Sequence, residues 1–368
     1  MKKVIKQLAN ILLMAIIGGV FGYFLGKTLS RGEVTTLTFI QLFLFLILWF
    51  IVQIFIHEAG HAVFGLLTGY KMVSFRLFSF MWVWQENGKI VFRRHKVLGT
   101  LGQCLMAPPP YKNGHFPFRL YLMGGVLANL IFSVVIGVLF TPNSLSAMIF
   151  VTVGLFFAVT NGIPMGFNDG ATLRMASSSQ EQAFLFYLQM DANYQFSLGK
   201  THIDLPEKYF ETVPAIPKRT YFNDYQTFLQ LGLLFEQRDL AGYEELLEEM
   251  WERQDELLPI YQIELKKTML MWLCTQESDD EWIPQLWQDK SVKASLKQPL
   301  MGNRALEAAY YGFVEGDYER AEMLLDQGKA LYEKAPNLAS AKLGLDEIEW
   351  LEQLLEESFQ QEENTLIE

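Results

Sequence analysis

Cysteine is nearly missing from this chain of 368 residues, and the two that occur, Cys104 and Cys274, stand far apart. That excludes a disulfide framework and any thiolate metal-binding spacing, and both are expected to be ordinary thiols. Acidic residues are scarce in the first 174 positions, where Glu33, Glu58, Glu86 and Asp169 alone face 14 Lys and Arg. From 175 onward the balance inverts to 37 acidic against 16 basic residues. Such a surplus of negative charge excludes nucleic acid as a partner, because binding phosphates needs a basic surface. Histidine is rare too, with five in the whole chain. A basic, apolar front half precedes an acidic, water-loving back half.

The front half is rich in long apolar runs. Crossing the hydrocarbon of a bilayer takes about 20 apolar residues, and four stretches qualify, at about 4–25, 37–67, 120–140 and 145–165. The first opens MKKVIKQ and is expected to be a retained signal anchor rather than a cleaved signal peptide, since no clear small-residue cleavage site follows it. Lys and Arg stay on the cytoplasmic side of a membrane. The loop over 70–119 carries Lys71, Arg76, Lys89, Arg93, Arg94, Lys96, Lys112 and Arg119 against Glu86 alone, whereas TPNSLS at 141–146 is uncharged. The expectation is a multi-pass cell-membrane protein, of bacterial type, with both termini in the cytoplasm.

The second run contains HEAGH, with His57 and His61 four residues apart, a spacing that puts both imidazoles on one helix face within reach of one metal ion. Zinc takes imidazole nitrogen readily, needs a third protein ligand, and in catalytic sites keeps its fourth position for water. Glu58 would stand beside that water, placed to take its proton and pass it to a leaving amine. HExxH also occurs by accident in helices of soluble proteins, but here it lies in an apolar run, where ionisable groups are costly and usually functional. Asp169 is the only other acid close to a membrane segment at matching depth. His57 lies 20 residues past position 37 and Asp169 24 past position 145, which is about 30–36 Å of helix. Asp169 closes the stretch NGIPMGFNDG at 161–170, where Pro164 and three glycines break the helix. Such a break either lines a protein cavity or marks a simple helix end at the membrane surface.

HEAGH in one span, with Asn161, Pro164, Asp169 and Gly170 spaced as N-x-x-P-x-x-x-x-D-G in a later one, resembles the site-2 protease family of intramembrane zinc metalloproteases. The resemblance covers roughly 37–174. It implies His57, His61 and Asp169 as ligands to one zinc ion per chain, Glu58 as the catalytic base, and regulated cleavage of membrane-anchored proteins or peptides. Gly125-x-x-x-Asn129 in the third run matches a further element of the family, and Gly125 there also suits close helix packing. Asn161, with Asn129, is a candidate contact for substrate backbone or a developing oxyanion; for Asn161 a helix-breaking cap is the other reading.

Between the second and third runs, 72–84 and 89–94 flank Glu86-Asn87-Gly88, a turn signal that predicts a membrane-associated β-hairpin over about 72–96. An exposed strand there could pair with an extended substrate; an amphipathic surface loop is the alternative. GTLGQCLMAPPPY after it, with its prolines and glycines, predicts an irregular re-entrant loop over 98–111. The expected fold is therefore mainly α: a four-span metalloprotease core over 1–174 and a connecting helix and linker over 175–220. A soluble, cytosolic, all-α tetratricopeptide-like domain over 221–368 completes it. AAYYGFVEGDYERAEMLLDQGK at 308–329 carries that likeness, with an echo at 231–249. Such arrays bind partners on a concave face, so a regulatory protein is an expected partner besides the bilayer and the substrate. His202, alone in the back half, is expected to be an ordinary linker residue. The competing reading is a non-catalytic membrane scaffold with a structural or vestigial metal site. A transporter is disfavoured by the small number of spans and the lack of an internal repeat.

Overall fold

The computed structural model describes residues 35–85, 88–94, 100–140, 144–276 and 278–367, with scattered positions before 35. The expected first span, 4–25, lies outside the described residues apart from those scattered positions, as do Glu86 and Asn87 of the expected turn. The chain divides into two compact units, 1–190 and 191–368.

In the first unit three helices are long and apolar enough to cross a membrane, α1 (Thr36–Leu67), α2 (Phe118–Phe140) and α3 (Leu145–Gly162). A capping box opens α1, with Thr35 and Thr38 each taking the other's backbone N–H. Ser144 caps α3 by accepting from the Ala147 N–H. α3 stops short of the apolar run that ends at 165, because Pro164 holds Ile163 extended at φ −80°, ψ 127°. The three helices pack on one another with a polarity opposite to that of a soluble bundle. Phe39, Phe43, Leu44 and Leu48 are exposed, while Gln53, His57, His61, Asn129 and Ser133 are buried. That arrangement suits hydrocarbon as the solvent, where polar side chains must find partners inside the protein. Where α1 crosses α2 the backbones touch at Gly60 and Gly124: a Cβ on Gly124 would lie 2.6 Å from the Gly60 carbonyl oxygen. Only glycine on both sides permits this approach.

Between α1 and α2 lie β1 (Lys71–Leu77), β2 (Phe80–Trp84), β3 (Ile90–Arg94) and β4 (Gly102–Ala107), an antiparallel sheet in the order β3-β2-β1-β4. This is more than the expected hairpin. The chain turns at Phe78, φ 55°, so 72–84 forms two strands that pair Ser74 with Val83 and Leu77 with Phe80. β4 stands where an irregular loop was expected. Its prolines, Pro108 to Pro110, follow the strand instead of interrupting it, so the N–H groups of 102–107 remain free to pair with β1. After α3 come the short helix α4 (Asp169–Ala176) and α5 (Gln180–Ser197); the boundary between the units falls inside α5 and within the expected connecting segment.

The second unit is helical throughout its described residues, with α6 (Tyr221–Glu236), α7 (Leu240–Glu252), α8 (Pro259–Gln276), α9 (Trp282–Gln288), α10 (Lys290–Leu296), α11 (Met301–Ala309), α12 (Tyr318–Lys329) and α13 (Leu338–Ile367). Leu265, Leu270, Cys274, Val292, Ala305 and Ile348 fill a conventional apolar core. The two segments that echo each other in sequence share a local geometry. Arg238 and Gly316 both adopt positive φ, 59° and 66°. The residue after each, Asp239 or Asp317, caps the following helix through its side chain. His202 is more than a linker residue: its Nδ1 lies 3.1 Å from Glu236 Oε2, which also accepts from the His202 backbone N–H at 2.8 Å.

Candidate metal centre

The contact of α1 with α2 at Gly60 and Gly124 brings the two histidines against the neighbours of Gly124. Gly125 leaves the space that the His57 ring fills, since a Cβ there would lie 2.6 Å from His57 Cε1. Asn129 Oδ1 lies 2.8 Å from His57 Nδ1, and the Tyr121 carbonyl oxygen lies 2.9 Å from His61 Nδ1. The Asn129 amide is fixed from behind. Its Nδ2 donates to the Gln53 carbonyl at 3.0 Å and to Gln53 Oε1 at 2.6 Å, so Oδ1 must face His57 and accept. A backbone carbonyl can only accept as well. Both Nδ1 atoms therefore carry the proton, and both Nε2 atoms are left with lone pairs aimed inward.

Those lone pairs converge. The Nε2 atoms lie 3.2 Å apart, and Asp169 Oδ2 lies 2.9 Å from His57 Nε2 and 3.4 Å from His61 Nε2. Asp169 Oδ2 is buried with no hydrogen-bond partner. Three electron-rich atoms this close repel one another unless a cation sits among them, and two imidazole nitrogens with a carboxylate oxygen can hold a metal ion. The donor set fits the group that the sequence implied.

Asp169 reaches the pair through the break after α3. Asn168 spans that break: its Nδ2 donates to the Thr160 and Ile163 carbonyls at 2.6 and 2.8 Å. Its Oδ1 accepts from the Ala171 N–H at 2.8 Å. One side chain thus satisfies the end of α3 and caps the start of α4, holding Asp169 at the first helical position. Pro164 ends α3, and a side chain on Gly170 would strike the Gly162 carbonyl. Glu58 lies apart from the three converging atoms, against the start of β4, where a Cβ on Gly102 would come within 2.5 Å of its Oε1. It interacts electrostatically with His57, His61 and Asp169.

Asn161 turns its amide back onto its own helix, donating to the Phe157 carbonyl at 3.0 Å. The Asn129 amide is wholly engaged by His57 and Gln53. Three contributors were not singled out in the sequence. Gln53 is fully buried, and its Nε2 donates to the Phe150 carbonyl of α3 at 3.1 Å, so one amide links three helices. Its signal was a lone amide four residues before His57 in an apolar run. Asn168 signalled itself as a capping residue type just before an Asp-Gly pair. Arg76, counted in the sequence only as a cytoplasmic charge, is buried. It donates to the Phe78 carbonyl at 2.6 Å and to Thr100 Oγ1, and so anchors the chain that leads into β4. Searches against protein-family models, curated proteins and solved structures return no match to this chain.

Proposed function

We propose that this chain is an intramembrane zinc metalloprotease of site-2 protease type, hydrolysing peptide bonds of membrane-anchored proteins or peptides. The observation that carries the reading is the convergence of His57 Nε2, His61 Nε2 and Asp169 Oδ2 from distant parts of the chain, with each Nδ1 already committed elsewhere. A single zinc ion held by these atoms would supply Lewis acidity and lower the pKa of a water molecule towards ~7. Glu58, next in sequence to His57, would then be the residue to take a proton at its carboxylate and return it to the leaving nitrogen. Asn129 and the Tyr121 carbonyl keep the imidazoles in the tautomer the ligands need.

A helical substrate hides its peptide bonds and must become extended before it is cut. The sheet offers a template for this, since among the described residues neither β3 nor β4 has a strand on its outer side. β4 is the better placed, because it begins at Gly102 beside Glu58. Residence as a multi-pass bacterial cell-membrane protein with cytoplasmic termini, and recruitment of a regulatory protein by the helical unit, belong to the same proposal.

The test is Glu58→Gln against the native chain, purified in detergent, with zinc measured by mass spectrometry and cleavage by peptide analysis. The variant is expected to keep its zinc and to lose at least about a thousandfold in cleavage, the combined weight of a general base and acid. Mass spectrometry of peptides trapped by the variant would name the substrate. Undiminished cleavage by the variant would remove Glu58 from the mechanism. A native chain that carries zinc yet cuts none of the trapped peptides would leave the scaffold reading in its place.

A further inference from the structure

The helical unit holds a cavity of about 310 Å³ between α6, α7, α8, α11 and α13, room for roughly ten water molecules at their liquid volume of about 30 Å³ each. Phe228, Phe235 and Tyr243 give it an aromatic wall, and Glu264, Lys267 and Glu347 give it a charged one. Lys267 Nζ lies 3.0 Å from Glu264 Oε2, so those two charges cancel. Glu347 is left over. Among the described residues its carboxylate has no hydrogen bond or ion pair, and it stands beside Gly302, where a Cβ would lie 3.2 Å from its Oε2.

A carboxylate without a hydrogen bond or ion pair, in a cavity that Phe228 and Tyr243 also line, is a site for an organic cation; the third ring, Phe235, already carries the Arg238 guanidinium 4.9 Å from its centre. Rings attract the cation through their faces, and the carboxylate accepts its N–H groups. A planar guanidinium satisfies both at once, and an aliphatic stem suits the remaining wall of Leu231, Met271 and Leu306. We propose that this cavity binds an alkylguanidinium group, carried either by an arginine side chain of a peptide or by a free small molecule. The charged and titratable groups that act on Glu347 are Lys267 on α8, Arg238 beyond α6, Asp346 on its own helix and the Tyr243 hydroxyl on α7. Burial pushes the Glu347 carboxyl up to about 7. Binding should therefore tighten as the pH rises through that value and the carboxylate ionises.

The experiment uses the full chain in detergent and fluorescence anisotropy of a labelled acetyl-Gly-Ser-Arg-Ser-Gly amide. It is compared with the same peptide carrying citrulline, a neutral isostere of arginine. The arginine peptide is expected to bind at least about tenfold more tightly, and Glu347→Gln is expected to erase that advantage. The advantage should also grow between about pH 6 and about pH 8. Displacement by agmatine would show that the free cation suffices, and its failure would assign the site to peptides; either upholds the assignment. Equal binding of the two peptides, no saturation up to about 10 mM, or an advantage that survives Glu347→Gln would overturn it. The native-chain comparison of arginine with citrulline decides the matter even if the variant folds poorly.

Discussion

In α1 of the first unit the fully buried side chain is Gln53, while Phe39, Phe43 and Leu44 face outward. In α8 of the second unit Leu265 and Leu270 are fully buried, and Glu264 is half-exposed. The physics is the same, with a different solvent. In water, apolar area is driven inward and polar groups stay out. In hydrocarbon no outside partner exists for an amide or an imidazole, so these groups collect in the interior and must satisfy one another. The contrast teaches that Gln53, His57, His61 and Asn129, buried among the apolar helices of the first unit, act as one network. In the second unit buried polar groups gather at the start of α6, where Asn223, Asp224 and Gln226 pair with the chain before it, and Glu347 stands outside that network.

The comparison can be broken at several points. The largest expected effect is that of Gly125→Leu, which puts a side chain where the His57 ring sits. Metal content of the purified protein should fall to background while the helical unit still unfolds as in the native chain. Retained metal would show that the rings can rearrange. In the second unit, Leu270→Ala should cost about 2–5 kcal/mol of that unit's stability, read by chemical denaturation, with no change in metal content. Loss of metal there would deny that the units are separate in their chemistry. Asn129→Ala removes the acceptor that orients His57, and metal affinity in competition with a chelator should weaken about 10–100-fold, partly regained by Asn129→Asp.

Glu347 sharpens the contrast through pH. Burial lifts its carboxyl from an ordinary 4.5 to about 7, so the folded chain keeps a proton that the unfolded chain releases. Stability should fall as pH rises from about 4.5 to about 7 and stay lower above that. Glu347→Gln should therefore gain about 1–3 kcal/mol near pH 8, discounted for partial exposure, and nothing near pH 4. A flat difference between native and variant melts across that range would refute the linkage. The smallest effect concerns the repeated loop. Gly316 holds φ 66° with open space around it, so Gly316→Ala should cost about 1 kcal/mol through backbone strain alone.

Much of the candidate metal centre was legible. HEAGH declared two imidazoles on one helix face, and Asp169 was the one carboxylate at the right depth. Position 164 ended α3 because proline restricts the residue before it. The supporting shell was not legible in the same way. Gln53, Asn129 and Gly154 come together from three helices: a Cβ on Gly154 would lie 2.6 Å from Gln53 Nε2. No local pattern encodes such a meeting. The four-stranded sheet was half visible, because the prolines after β4 masked a strand whose partner, β1, lies some 30 residues earlier.

What the sequence determined by itself is what short-range chemistry determines: apolar runs long enough to cross hydrocarbon, the spacing of His57 and His61, the break at Pro164, and the echo between 231–249 and 308–329. Tertiary structure alone decided that Gly60 meets Gly124, that Asn129 rather than solvent holds His57, that β4 pairs with β1, and that Glu347 is left without a partner. Those outcomes depend on which surfaces meet, and the energy of such a contact is set jointly by residues far apart in the chain.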